Sequence, residues 1–88
     1  MQKPIRLTRH ARLRAIQRSA TETEIRETIR TSQWQPAHGS RWCAQKKFTF
    51  NNVSPVNQQF YHNKIVEPVF AEETTEIVVI TVKVYYTL

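Results

Sequence analysis

Aspartate does not occur in this chain, and glycine, cysteine and methionine occur once each. A lone Cys43 has no partner for an internal disulfide, so nothing ties the fold to an oxidising compartment. A single glycine, Gly39, rules out a glycine-rich phosphate loop. The acidic residues are all glutamate, and their one local cluster is Glu72–Glu73 in a turn between strands. The grouped carboxylates of a metal-dependent nuclease are therefore missing. His10, His38, His62 and Cys43 fall at no metal-ligand spacing, so no metal or other cofactor is expected. No defensible Ser-His-Asp pattern exists either. Ile77 to Val84 is the longest apolar stretch, and it is strand-length, too short to cross a bilayer. No apolar core segment follows the basic N-terminus, so no signal peptide is expected. A cytoplasmic protein without a membrane partner is the expectation. Repeats and low-complexity tracts are absent.

What is present is charge of one sign. The 88 residues suit one small domain, 1–88, with 13 Lys/Arg against 7 Glu and a net charge of +6. The charge is uneven. Residues 1–20 hold six Lys/Arg and no acid, and residues 41–64 hold four more, again with no acid. Residues 65–88 are net acidic, with Glu67, Glu72, Glu73 and Glu76 against Lys83. One side of the fold should be basic, and the last hairpin should lie outside it. Such an imbalance points to nucleic acid, an acidic protein or an anionic membrane surface.

The pattern of elements is α+β. Ile5 to Thr8 alternates as a short strand. Thr8 can cap a helix from Arg9 to about Ser19. Thr21-Glu-Thr-Glu24 is a capping box that should open a second helix to about Thr31, with an Ile25/Ile29 stripe. Beyond Trp34 the period is that of strands. Gly39–Ser40 marks a turn. Arg41 to Phe50 reads as one long strand, with Trp42, Ala44, Lys46, Phe48 and Phe50 on one face. Asn51 to Asn57 reads as a polar loop, and Gln58 to His62 as a short extended piece turning at Asn63–Lys64. Ile65 to Ala71 is a strand made an edge or bulged by Pro68. Glu76 to Tyr86 reads as a central strand buried on both faces. The expected architecture is two N-terminal helices on one face of a three- to four-stranded antiparallel sheet.

The segment Thr8 to Thr21 holds four arginines and a histidine with no carboxylate. On a helix, at about 100° per residue, Leu13, Ile16 and Ala20 should anchor one side. His10, Arg14, Gln17 and Arg18 should share another. Cations in a first turn oppose the helix dipole, a local conflict of the kind found at functional sites. His10 reads either as a helix-start histidine bonded to backbone or as a proton-transfer group beside Arg14 and Arg18. Cations beside an imidazole favour its neutral form, the form a general base needs. Arg14 and Arg18 are either a solvated face or a bidentate phosphate site, and the missing acids favour the second. Lys46, on an apolar strand face, either snorkels to the sheet edge or projects into the histidine cleft. Arg41 and Lys47 lie on the alternate face as phosphate-positioning groups. Trp34, Trp42, Phe48 and Phe50 read as core, with room for one exposed aromatic to stack a base. One of Tyr85 and Tyr86 must point away from the core.

The stretch TRHARLRAIQRSATETEI resembles the opening of small bacterial proteins in the RelE/ParE-like and BrnT-like toxin superfamily, in particular a branch known only as a domain of unknown function. The shared residues are His10, Ala11, Arg14, Arg18, Thr21 and Ile25. The ending TEIVVITVKVYY resembles that branch's last strand with its aromatic pair. The chain departs from the pattern at Ser19–Ala20, where relatives carry a glycine turn, and over Asn51 to Asn63, which is longer and more polar. The resemblance implies the toxin of a type II toxin–antitoxin pair, a metal-independent endoribonuclease that inhibits translation. In that reading the substrate 2′-OH attacks the adjacent phosphodiester. The catalytic set would be His10, Arg14, Arg18, Lys46 and Tyr85 or Tyr86, with Arg9, Arg12, Arg41 and Lys47 contacting RNA. The implied partners are RNA, including ribosome-bound mRNA, and a cognate antitoxin. A non-catalytic RNA- or DNA-binding module using the same basic face is the alternative.

Overall fold

The structure, a computed structural model, describes residues 2–88. Two helices pack on one face of a six-stranded mixed sheet. The strands are β1 (Ile5–Leu7), β2 (Gln35–Ala37), β3 (Arg41–Cys43), β4 (Lys46–Val53), β5 (Phe60–Glu72) and β6 (Ile77–Thr87). The helices α1 (Arg9–Gln17) and α2 (Glu22–Thr31) lie between β1 and β2. The sheet order is β1-β6-β5-β3-β2, with β4 also paired to β5.

Two expectations about the sheet change. It has six strands, and it is mixed, because β1 runs parallel to β6 with Ile5 opposite Ile77 and Leu7 opposite Val79. That pairing joins opposite ends of the chain, so no local pattern encodes it. The long strand expected from Arg41 to Phe50 is two strands, broken at Ala44–Gln45 while its in-out period runs on. The expected loop after Asn51 is still β4 as far as Val53, and β5 runs unbroken through the turn expected at Asn63–Lys64. β5 pairs with β4 up to Val66 and with β3 from Val69 onward. Pro68 falls in the gap between them. Its partner across β6 is Val82, whose carbonyl faces away from β5 toward Arg18. The missing proline N–H therefore faces the gap, where no ladder bond is lost, and a central strand tolerates it. The register shift lies next to it, between Val69 and Phe70, where Ile80 of β6 is unpaired.

Both helix caps form as the sequence indicates. Thr8 accepts from the Ala11 N–H at 3.1 Å. Thr21 and Glu24 close a reciprocal capping box, at 3.1 Å and 3.0 Å. α1 ends in a Schellman arrangement, with Ala20 N–H donating to Ala15 O and Ser19 N–H to Ile16 O. Ser19 stands in the left-handed slot at φ 57°, a conformation that glycine adopts most readily.

The core lies between the helices and the sheet: Ile5, Leu7, Ile25, Ile29, Val66, Phe70, Val79 and Val82. Trp34 closes one end, edge-on to Phe70 at 4.8 Å, and donates its indole N–H to Ile29 O. α2 contributes Ile25 and Ile29, as expected. Of the expected anchors Leu13, Ile16 and Ala20, Ala20 is buried, but the helix itself turns Ala11 and Ala15 inward while Leu13 and Ile16 are exposed.

The polar heart of the fold is Lys64, only 4% exposed on the helix side of β5. Its ammonium bonds the Ser19 carbonyl and sits 2.8 Å from Glu24 Oε1. Tyr86 donates to Arg18 O at 2.7 Å. Two carbonyls at the end of α1 are thus held by a cation and a phenol, which suits the negative end of the helix dipole. Glu24 serves the α2 cap and the buried lysine together. Thr21→Ala should therefore destabilise by about 1 kcal/mol. Glu24→Ala, which also strands a buried ammonium, should cost about 3 kcal/mol. Urea unfolding of the two variants tests this order, and equal losses would remove Lys64 from the account.

Candidate nucleic-acid interface

Residues directly paired across strands share a face of the sheet. Lys46, Phe48, Lys64, Val66, Phe70, Val82 and Tyr86 face the helices; Arg41, Cys43, Lys47, Glu67, Thr81, Lys83 and Tyr85 face away. β1 covers one edge of β6 only as far as Val79. Beyond that point no strand lies on this edge, and α1 runs alongside it. Three side chains from the helix and its cap serve the uncovered groups. Thr8 Oγ1 donates to Ile80 O at 3.3 Å, His10 Nε2 meets Thr81 Oγ1 at 3.3 Å, and an Arg18 guanidinium N–H donates to Val82 O at 2.8 Å.

His10, Arg14 and Arg18 do share one side of α1, and that side borders the β6 edge. Their tasks differ. Arg18 supplies a backbone carbonyl with the bond a neighbouring strand would have given. A guanidinium has further N–H donors, so Arg18 retains some capacity for an anion. Arg14 is bonded only within its own helix, to Gln17 Oε1 at 3.1 Å. His10 is exposed, and its one side-chain partner among the described residues is the Thr81 hydroxyl.

Lys46 does not reach this edge. It lies on the helix side at the far end of α2, 2.9 Å from Glu27 and 3.0 Å from Thr31 Oγ1. The lysine that interrupts the apolar face is there to pair with a glutamate of the second helix. Tyr85 is exposed on the uncovered face, and four residues, about 13 Å of strand, separate it from Thr81. Tyr86 is committed to Arg18 O. Burial pushes its phenol up, outweighing the opposing hydrogen bonds from Ser54 and Ser19 and the Arg18 charge, so it stays a donor. Arg41 and Lys47 are exposed on the uncovered face, as the alternation indicates. The expected core aromatics pack inward, and the exposed ones are Phe60 and Tyr85.

The charges sort clearly. Seven of the 13 Lys/Arg lie within 4.0 Å of a glutamate: Lys3, Arg6, Arg12, Arg26, Lys46, Lys64 and Lys83. Lys3 and Arg6 neutralise Glu72 and Glu76 beside the acidic turn. Among the described residues, Arg9, Arg14, Arg18, Arg30, Arg41 and Lys47 have no such partner. Half of this surplus, Arg9, Arg14 and Arg18, lies on α1 and its C-cap.

Two features escaped the sequence reading. Lys64 carries the same signal as Lys46, a lysine in an apolar alternation, and only its burial separates them. The second is a cleft of about 310 Å³ lined by Gln33, Gln35, Cys43, Ala44, Gln45 and Glu67. Glu67 is buried and accepts from the Gln45 amide. Burial pushes the Cys43 thiol up and the Glu67 carboxylate adds to it, against an opposing Lys83. No group of three or more His, Cys, Asp or Glu gathers to hold a metal ion among the described residues, and no described helix is long and apolar enough to cross a membrane.

No protein-family model matches the chain, and no curated protein or solved structure matches it significantly.

The division of labour along α1 is measurable. Arg14→Ala should change stability by less than about 0.5 kcal/mol, and Arg18→Ala should cost about 1.5 kcal/mol through the abandoned Val82 carbonyl. Paired thermal melts decide it; an Arg14 loss equal to that of Arg18 contradicts the assignment. Cys43 should react with iodoacetamide more slowly in the folded protein than in urea at the same pH, and Glu67→Gln should speed the folded reaction. Equal folded and unfolded rates would contradict the half-buried, glutamate-flanked thiol.

Proposed function

We propose that the protein binds RNA along α1 and the adjoining β6 edge, and that it acts there as a metal-independent endoribonuclease, the toxin of a toxin–antitoxin pair. The observation that carries the reading is the cluster of uncompensated arginines, Arg9, Arg14 and Arg18, beside an exposed imidazole. Phosphate contacts supply most of the affinity for a nucleic-acid chain, and arginine forks suit them. A pure phosphate binder has no use for an imidazole among them. In the proposed reaction His10 takes the proton of a 2′-OH, whose oxygen attacks the adjacent phosphorus. The P–O5′ bond breaks and the 5′-oxygen takes a proton from solvent water, giving a 2′,3′-cyclic phosphate and a free 5′-OH. Arg14, with a spare contribution from Arg18, stabilises the charge on the phosphorane. Lys46 has no part in this proposal, because it is bound to α2. Tyr85 extends the RNA path as a stacking surface on the uncovered face, with Lys47 level with it across β5 and Arg41 toward the other end of the same face. Membership of the RelE/BrnT-like superfamily and neutralisation by a cognate antitoxin belong to the same proposal. Their support is the His10-Ala11-Arg14-Arg18 pattern followed by the capped second helix.

The alternative, a non-catalytic RNA- or DNA-binding module, draws on a specific observation: Arg18 is engaged in the fold, leaving Arg14 as the less encumbered cation on the side of α1 that carries His10. One experiment separates the two. Labelled single-stranded RNA is incubated with the protein in EDTA across a salt series. The catalytic reading expects cyclic-phosphate products, lost at least 100-fold in His10→Ala with binding retained. Arg14→Ala should weaken binding and lower the salt slope by about 1. Intact RNA with salt-sensitive binding selects the alternative, and no salt-sensitive binding removes both.

A further inference from the structure

α1 turns its aliphatic side chains outward. Leu13 is 50% exposed and Ile16 78%, while the helix buries Ala11 and Ala15. Leu13 and Ile16 are three apart and so are neighbours on the helix surface. Arg9 stands four residues before Leu13, and Arg12 four before Ile16. Arg9 has no carboxylate within 4.0 Å among the described residues, and Arg12 meets Glu22 only at 4.0 Å. The outer surface of α1 is therefore a short aliphatic ridge bordered by two guanidinium groups. Single exposed aliphatics are ordinary. Two adjacent ones, on a helix whose own packing uses only alanine methyls, form a contact surface with nothing against it.

We propose that this ridge docks an acidic amphipathic segment of another protein, which sets apolar side chains on Leu13 and Ile16 and carboxylates on Arg9 and Arg12. Charge and shape choose the occupant. RNA offers phosphates to the arginines, but its bases stack on aromatic or guanidinium planes rather than on branched aliphatics. An anionic bilayer accepts both residue types, yet α1 has nine residues and offers it two aliphatics, little to insert. A second copy of the chain brings its own charge of +6, and in its acidic turn Glu72 and Glu76 are already held by Lys3 and Arg6, leaving only Glu73 among the described residues. An acidic segment with leucine-type residues on one face satisfies both chemistries at once. The aliphatics of the ridge stand apart from the His10–Arg18 edge, with Arg9 shared between the two surfaces, and this inference does not rest on RNA cleavage.

The test uses two labelled helical peptides of equal negative charge, one with leucines at i, i+3 and i+4 between glutamates, the other with serines in their place. Fluorescence anisotropy at physiological salt should show the leucine peptide binding tighter by roughly tenfold or more. In the double variant Leu13→Ser, Ile16→Ser that preference should vanish, while RNA affinity stays within about twofold. Both side chains are exposed, and circular dichroism with a thermal melt verifies that the variant is folded. Equal binding of the two peptides by the parent, or a preference that survives in the variant, overturns the proposal. So does a variant that loses binding to phosphatidylglycerol vesicles but treats both peptides as the parent does, which assigns the ridge to a membrane. A loss of RNA affinity in the variant assigns it to RNA. An absence of RNA binding by the parent protein removes the proposed function and leaves this inference standing.

Discussion

The arrangement of this molecule depends on the Lys64 ammonium between the end of α1 and the start of α2. A charge this buried is tolerated only with its partners in place, here the Ser19 carbonyl and the Glu24 carboxylate. Because Glu24 also closes the Thr21 capping box, the lysine fixes a helix end, a helix start and a central strand relative to one another. α1 needs that fixing. Its apolar contact with the sheet is two alanine methyls, each worth about 0.8 kcal/mol, far less than Ile25 and Ile29 give α2. Polar ties at both ends make up the difference: Thr8 at the start, and Arg18, Ser19 and Tyr86 at the finish.

Alanine at the contact has a second consequence. A small interface lets α1 lie close to the bare edge of β6, close enough for Arg18 to reach the Val82 carbonyl. An exposed edge strand is otherwise a template for unwanted pairing. The cation that shields this edge is also one of the six in surplus. One guanidinium therefore serves the fold directly and any anionic partner secondarily, and Arg14 is left as the less encumbered phosphate ligand.

Features set within a few residues were legible in the sequence. The Thr8 cap and the Thr21–Glu24 box involve neighbours three residues apart, and both formed as read. The alternation of Trp42, Lys46, Phe48 and Phe50 gave the correct face even though the strand breaks at Ala44–Gln45, because the break keeps the period. Features set by distant partners were not legible. The parallel pairing of β1 depends on residues 72 positions away, Ile5 opposite Ile77 and Leu7 opposite Val79. Lys46 and Lys64 look alike in sequence, and which of them is buried depends on which glutamate of α2 stands above each. The orientation of α1 was misread for a different reason. Leucine and isoleucine usually face a core, but here close approach to a strand edge favours alanine, and the larger side chains are turned out.

The candidate edge and the aliphatic ridge belong to one helix, so they are electrostatically coupled. A helix of nine residues is about 13 Å long, little more than the distance of about 8 Å over which physiological salt screens a charge. An acidic segment seated on Leu13 and Ile16 would neutralise Arg9 and Arg12 within that distance of Arg14. The attraction of the β6 edge for phosphate would fall even though His10, Arg14 and Arg18 stayed uncovered. Control of the edge by a partner on the ridge thus requires no conformational change and no occlusion. It requires only that the surplus charge on α1 be shared between two faces, as the placement of its arginines dictates.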